Sequence, residues 1–260
     1  MIEPNSMIHG DFFEKVKEVP AGSIQLCLQD IPYGITICTW DTVPDLPLMW
    51  SELKRIGKPN CAYVFTASQP FTTDLIMSNR KMFKYEWIWS KNNGSNFQNA
   101  NIMPMLCHEN ILVFCEGKTI YNPQKQIRRK PKDYSNCKGE RSDGANLIKI
   151  KKCTGNILRT DKFPESVINI GCQTKECNNV NRTHPTQKPV ALFEYLIRTY
   201  TNEGDTVFDG FAGSFTTAIA CYRTNRNYIC IEKELDYYNK GLLRMEEEKR
   251  QLKLLFERIF

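Results

Sequence analysis

The chain has 260 residues, 41% of them hydrophobic and 25% charged, enough to bury a substantial core in one large domain or in one domain with an inserted lobe. No run of about 18 apolar residues occurs, so no membrane span is expected. The start, residues 1–11, lacks the charged and apolar regions of a signal peptide, so the expected location is the cytoplasm, or a host's cytoplasm if the gene is viral. The net charge is +6, and it is uneven: between Lys118 and Lys152 there are eleven Lys or Arg against three acids. Such a segment suits a phosphate backbone, and a solvated basic loop is the plain alternative.

In chain order, Met7 to His9 reads as a short strand ending in the Gly10-Asp11 turn. Phe12 to Val19 has helical spacing, and Pro20-Ala21-Gly22 breaks it before an apolar strand, Ser23 to Leu28. A strand, a helix and a strand in thirty residues argue for a parallel sheet. The strand leads into Gln29-Asp30-Ile31-Pro32-Tyr33-Gly34. Here an acceptor carboxylate, a proline-stiffened turn and a flat ring stand together, as a planar amine-bearing group requires. A loop over Thr36–Pro47 is expected to face the same side as Asp30. A helix over Leu48–Gly57, a buried strand over Cys61–Phe65, a helix over Phe71–Asn79 and a strand around Tyr85–Trp89 follow. The Asn- and Gly-rich stretch Asn92–Asn101 reads as a loop, and Asn110–Cys115 as another strand.

From 117 to 183 apolar periodicity fades, with Leu147-Ile148 and Val167-Ile168 as short exceptions. This stretch is expected to lie outside the main sheet as an inserted basic segment, leaving 1–116 and 184–260 as the principal domain. After it, His184-Pro185-Thr186-Gln187-Lys188-Pro189 opens a helix over Val190–Tyr200. Thr206–Phe208 forms a strand ending at Asp209, the small-residue turn Gly210–Thr217 leads into a helix over Ala218–Arg223, and Asn227–Ile231 forms a strand capped by Glu232. The final stretch, Leu235–Phe260, is helical. Its seam of Leu235, Tyr238, Leu242, Met245, Leu252, Phe256 and Ile259 is expected to pack on the protein's own sheet, with a homodimer contact as the alternative.

Eleven cysteines are scattered. Cys27, Cys38, Cys61, Cys107, Cys115, Cys221 and Cys230 sit among apolar residues and read as small core side chains of a reducing compartment. Cys172 and Cys177 have no matching second pair, so no metal site is assigned.

The strand–turn–helix over Thr206–Arg223 carries most of the site chemistry. Small residues let a ligand approach the backbone, and helix N-terminal amides supply donors. An acid at the end of the next strand, Glu232, stands where α/β nucleotide folds hold ribose hydroxyls. There is neither a GxGxxG pattern nor a Walker-type lysine, which favours an adenosine-bearing cofactor without pyrophosphate.

Asp209-Gly210-Phe211-Ala212-Gly213-Ser214-Phe215-Thr216-Thr217 resembles the D-P-F-A-G-S-G-T-T cofactor loop of the DNA amino-methyltransferases. Asp30-Ile31-Pro32-Tyr33 is similar to their catalytic D-P-P-Y, and His184–Pro189 matches their H-P-T-Q-K-P without a change. Tyr85–Trp89 and His108–Phe114 also look like this family, and the order of motifs is that of its β-type group, which includes restriction-modification and phage enzymes. The resemblance covers nearly all of the chain outside 117–183.

It implies a Rossmann-like α/β methyltransferase fold with a mostly parallel seven-stranded sheet flanked by helices, and a target-recognition role for the basic insert. It implies S-adenosyl-L-methionine as cofactor, DNA as partner, and a cognate restriction endonuclease as a further one. Asp30 would accept a hydrogen bond from the exocyclic amine of a flipped base, the Ile31 carbonyl would accept the second, and Pro32 and Tyr33 would complete the motif, with Tyr33 stacking on the base. Asp209, Gly210, Phe211, Ala212, Gly213, Ser214 and Phe215 would surround the cofactor. Glu232 would take its ribose hydroxyls, Asp11 and Phe12 its adenine, and Thr186 and Lys188 would lie near its methionine end.

Two departures stand out. Ile31 replaces a proline where the family uses a carbonyl, and function should survive. Phe215 replaces a glycine, and a ring there points to crowding of the cofactor or an altered turn. Gly210 in place of proline is expected to loosen the turn. Transfer to adenine N6 is the expected reaction, motivated by Asp rather than Ser in the catalytic motif. Cytosine N4, a catalytically impaired DNA-binding homologue and an RNA methyltransferase are the rivals.

Overall fold

A computed structural model describes residues 1–34, 41–133, 158–171 and 187–259. They divide into two compact units, Met1–Asn122 with Ser166–Phe260, and Pro123–Glu165.

The first unit is built on one sheet. Its strands are β1 (Ser6–His9), β2 (Ile24–Gln29), β3 (Gly57–Ala67), β4 (Phe83–Ser95), β5 (Leu106–Phe114), β8 (Val167–Asn169), β9 (Thr206–Asp209) and β10 (Asn227–Glu232). Their spatial order is β1-β10-β9-β2-β3-β5-β4-β8. Neighbours from β1 to β3 are parallel, β5 runs antiparallel between β3 and β4, and β8 lies parallel to β4. The sheet thus has eight strands among the described residues, one more than the sequence led us to expect. The extra one is Val167–Asn169, read from sequence as part of the outlying segment. Ile168 is buried, and Trp89 Nε1 donates to the Ile170 carbonyl at 2.9 Å, so this stretch closes the edge of β4.

Strands in the middle of a parallel sheet are covered on both faces and read as continuous apolar runs. All six residues of β2 are buried accordingly. One face, with Leu26, Leu28, Val64, Val113 and Val207, packs under α4 (Val190–Tyr200), α5 (Thr216–Arg223) and α6 (Leu235–Ile259). The other, with Cys27, Phe65, Leu112, Phe114 and Phe208, packs under α1 (Phe12–Lys15), α2 (Leu46–Ile56) and α3 (Phe71–Ser78). Side chains cap the first two helices: Asp11 accepts from the Phe13 amide and Asp45 from the Leu48 amide, each at 2.9 Å.

Three expectations change. The Phe12–Val19 helix is one turn of α-helix followed by a 3₁₀ turn over Val16–Glu18. The Asn92–Asn101 loop is partly strand, because β4 continues to Ser95, which pairs with Leu106. Cys107 is exposed on that ribbon rather than in the core, while Cys38, Cys172 and Cys177 lie outside the described residues. The second unit carries a two-stranded antiparallel sheet, β6 (Gln126–Asp133) with β7 (Leu158–Lys162), and Lys125 pairs with Asp161 at 2.7 Å. No helix among the described residues is long and apolar enough to cross a membrane.

Candidate active site

From β2 the chain passes through α2 to β3 on one side, and from β9 through α5 to β10 on the other. β2 and β9 are neighbours, so the strand order reverses between them. In open α/β sheets this is where a crevice forms beyond the carboxyl ends of the strands. Asp30 follows the last residue of β2, and Asp209 is the last residue of β9. Gln29, fully buried, ties the two ends together: its Nε2 donates to the Phe208 carbonyl at 2.8 Å, and its Oε1 accepts from the Gly210 amide at 3.0 Å.

One cavity of about 910 Å³ opens at this point. It is lined by Asp30, Ile31, Pro32, Tyr33 and Lys188, and also by Asp11, Phe12, residues Asp209 to Ser214, and Glu232. The structure therefore brings together all the expected site residues except two. Thr186 lies outside the described residues. Phe215 is described but does not line the cavity.

Phe215 has φ 57° and ψ 35°, the left-handed region that glycine adopts without strain. That backbone turns the side chain away from the cavity. The ring is wholly buried against Gly241 and, at 5.9 Å between centroids, Tyr238 of α6. The expected crowding of the cofactor is thus corrected: the ring belongs to the core beneath the loop. Gly210 has a tighter role than loosening the turn. A Cβ there would overlap the ring of Phe12, which stacks on Phe211 at 5.0 Å and 23°.

Around the loop the groups are mostly acidic. Both oxygens of Glu232 are engaged by backbone, Oε2 by the Gly213 amide at 2.6 Å and Oε1 by the Glu234 amide at 2.8 Å. Burial pushes its carboxyl up despite these donors. Asp209 accepts from the Phe211 amide at 3.1 Å and from the Thr217 hydroxyl, and burial pushes its carboxyl up to about 7. Asp11 adds a third carboxylate, 3.3 Å from Lys233.

At the β2 end, Asp30 is surrounded by donors. Tyr33 Oη donates to Oδ1 at 2.9 Å, Thr66 at the end of β3 donates to the same oxygen, and Lys188 Nζ stands 2.7 and 2.8 Å from the two oxygens. Lys188, expected near the cofactor's methionine end, thus lies on the Asp30 carboxylate in the same cavity as the loop. Glu109 on β5 is 3.5 Å from the same ammonium. The Tyr33 ring stacks on Phe71 at 5.5 Å and 19°, and Lys188 Nζ is 5.7 Å from its centroid. Burial and the neighbouring Asp30 push the phenol up, so it stays a donor. Ile31 is buried in the core, with its side chain packed in the cluster beneath the site. Thr66, Phe71 and Gln29 were not singled out from sequence, where each is simply a residue at the edge of a strand or helix.

The family described as DNA methylase, of the N6 and N4 type, matches residues 24–242. The chain belongs to it. This DNA amino-methyltransferase takes S-adenosylmethionine as cofactor. It is 28% identical to the DNA adenine methyltransferase YhdJ of Escherichia coli (strain K12), over 94% of this chain and 83% of that protein. It is also 28% identical to the type II methyltransferase M1.MboII of Moraxella bovis, over 93% and 96%. Among solved structures, the M1.HpyAVI–SAM complex superposes with a TM-score of 0.61 at 24% identity, covering 92% of this chain and 98% of that one. The PvuII cytosine-N4-specific methyltransferase superposes with 0.64 at 17%, covering 94% and 87%. These two establish the shared fold.

The cavity of this methyltransferase fits the cofactor by its donor set. Carboxylates at Asp11, Asp209 and Glu232 surround the loop, which suits hydroxyl and amino donors and a cationic sulfonium rather than a pyrophosphate. The stacked Phe12–Phe211 pair supplies apolar surface for a heterocycle.

Proposed function

We propose that this DNA methyltransferase modifies adenine at N6, with Asp30, Ile31, Pro32 and Tyr33 forming the amine end of the site. Asp11, Phe12, Asp209–Ser214 and Glu232 form the cofactor end. The observation that carries this reading is the single cavity bounded by Asp30 at the tip of β2 and by Asp209 at the tip of β9. When bound, S-adenosylmethionine would supply a methyl group on sulfur: an amine nitrogen would take the methyl, the sulfur would keep the pair of the broken bond, and the methylated amine would lose one proton to solvent. The chain's own contribution is orientation and charge. An exocyclic amine conjugated to a ring is a poor nucleophile. A carboxylate at Asp30 and the Ile31 carbonyl, each accepting one of its hydrogens, draw the lone pair out of conjugation and toward the methyl. Glu232 and Asp209 hold the ribose and loop, and Phe12 with Phe211 takes the adenine ring. Thr186 and the insert over 117–183 are assigned to the cofactor's methionine end and to target recognition.

The adenine preference is supported by Asp in the catalytic motif and by the relative YhdJ, named as an adenine methyltransferase. Nucleosides from DNA treated with the protein and cofactor should contain N6-methyladenine, and N4-methylcytosine alone would overturn the preference. Asp30→Ala should cut methylation by about a thousandfold or more while calorimetric cofactor binding persists. Two partners are proposed as well. One is a companion endonuclease, in line with the type II designation of M1.MboII. The other is a second copy docking along α6, where Leu243 and Leu254 are exposed.

A further inference from the structure

Asp30 has too many donors for the task proposed for it. Oδ1 receives Tyr33, Thr66 and Lys188, and Oδ2 faces the same ammonium at 2.8 Å. A carboxylate oxygen has about two lone-pair directions. Oδ1 is saturated, and Oδ2 has one of its two directions taken by the ammonium. An amine hydrogen at Oδ2 must share that oxygen with the ammonium unless Lys188 withdraws. The cation also opposes the chemistry, because the amine nitrogen gains positive charge as it takes the methyl, and a neighbouring ammonium raises the cost of that charge.

Lys188 has somewhere to go. Glu109 Oε1 is paired with Lys91, but Oε2 is buried, lines the cavity and has no hydrogen-bond partner among the described residues. It stands 3.5 Å from Lys188 Nζ, just beyond bonding distance. An unsatisfied buried carboxylate oxygen is costly, and a lysine between two carboxylates stays paired in either position.

We propose that Glu109 is a positioning residue that takes Lys188 from Asp30 when the target base enters. In the free protein Lys188 holds Asp30 and stabilises the empty site. With the base bound, the ammonium moves to Glu109 Oε2, and Oδ2 accepts the amine. Lys91 keeps Glu109 in place by its other oxygen. Burial opposes the charge on Lys188, yet Asp30 and Glu109 hold its pKa well above the ordinary range, so an ammonium moves and no proton is exchanged.

The inference rests on Asp30 as the amine acceptor, and its test separates the two. Methyl transfer from tritiated cofactor to unmethylated genomic DNA, with enzyme in excess, is measured for the full chain and for Glu109→Gln, Lys188→Met and the double variant. Glu109→Gln should slow transfer at least about tenfold while the cofactor Kd stays within about twofold. In the Lys188→Met background the same change should alter the rate by less than about twofold, because the ammonium it serves is gone. Equal slowing in both backgrounds, or none in either, overturns the handover. If Lys188→Met does not melt cooperatively, the wild-type complex with DNA and demethylated cofactor decides. Lys188 Nζ bonded to Glu109 Oε2 and clear of Asp30 Oδ2 supports the proposal, and Nζ still on both Asp30 oxygens with the base bound overturns it. Undiminished transfer by Asp30→Ala would instead remove Asp30 from its role.

Discussion

Asp209 shows how a residue proposed for the cofactor end of the site also sets pH dependence. Burial pushes its folded pKa to about 7, from an ordinary carboxyl value of 3.8. Between those values the folded state keeps a proton that the unfolded chain has released. Stability from this group therefore falls as pH rises from about 4 to 7 and is level above that. Asp209→Asn removes the effect. From pH 4 to pH 8 its stability relative to wild type should shift in the variant's favour, by no more than about 4 kcal/mol. Urea denaturation at several pH values measures it, and a pH-independent difference would contradict the assignment. That Asp209 ends a strand was legible from Thr206-Val207-Phe208 and the glycine after it. Its elevated pKa was not, because burial depends on Cys221, Cys230 and α5 closing around it.

At the scale of elements, the cofactor loop and α6 form one packing unit. Arg244 of α6 donates to the Ser214 carbonyl at 2.9 Å and to Thr216 Oγ1 at 3.0 Å, and Arg223 of α5 grips Glu248 at 2.7 and 2.6 Å. The Phe215 ring occupies the space that Gly241 leaves. Gly241→Ala should therefore cost about 1–3 kcal/mol in thermal unfolding, since the added methyl overlaps a ring fixed on a left-handed backbone. The loss should be recovered when the same change is made in a Phe215→Gly background, where Gly241→Ala should cost less than about 1 kcal/mol because the ring it meets is gone. No recovery would mean that Gly241 is needed for another reason. The sequence offered Phe215 as a departure from a motif and Gly241 as an unremarked glycine in a helix. Only the crossing of α6 over the loop pairs them. The C-terminal seam itself was readable, and Met245 and Tyr238 do face the protein's own core.

At the scale of the molecule, the catalytic unit is acidic around its loop, while the β6–β7 ribbon of the second unit carries Arg129 and Lys130 exposed. If this ribbon holds DNA phosphates, Arg129→Ala with Lys130→Ala should weaken DNA binding alike on different sequences. It should also lower the slope of log affinity against log salt by up to about 2, with cofactor binding unchanged. Fluorescence titration at several salt concentrations measures this, and an unchanged slope would take the ribbon out of the interface.

Local pattern sufficed for much of this protein. Buried runs such as Ser23–Leu28, the helical spacing after Pro189 and three motifs in order marked the strands, the helices and the residues that meet in the cavity. Each depends on residues near one another in the chain. The tertiary structure decided what depends on residues far apart: β8 at the sheet edge, the Phe215 ring turned into the core, and Lys188 carried across to Asp30 with Glu109 behind it. Asp30 and Lys188 are 158 positions apart, and a salt bridge over that distance follows from strand order, which no local spacing encodes.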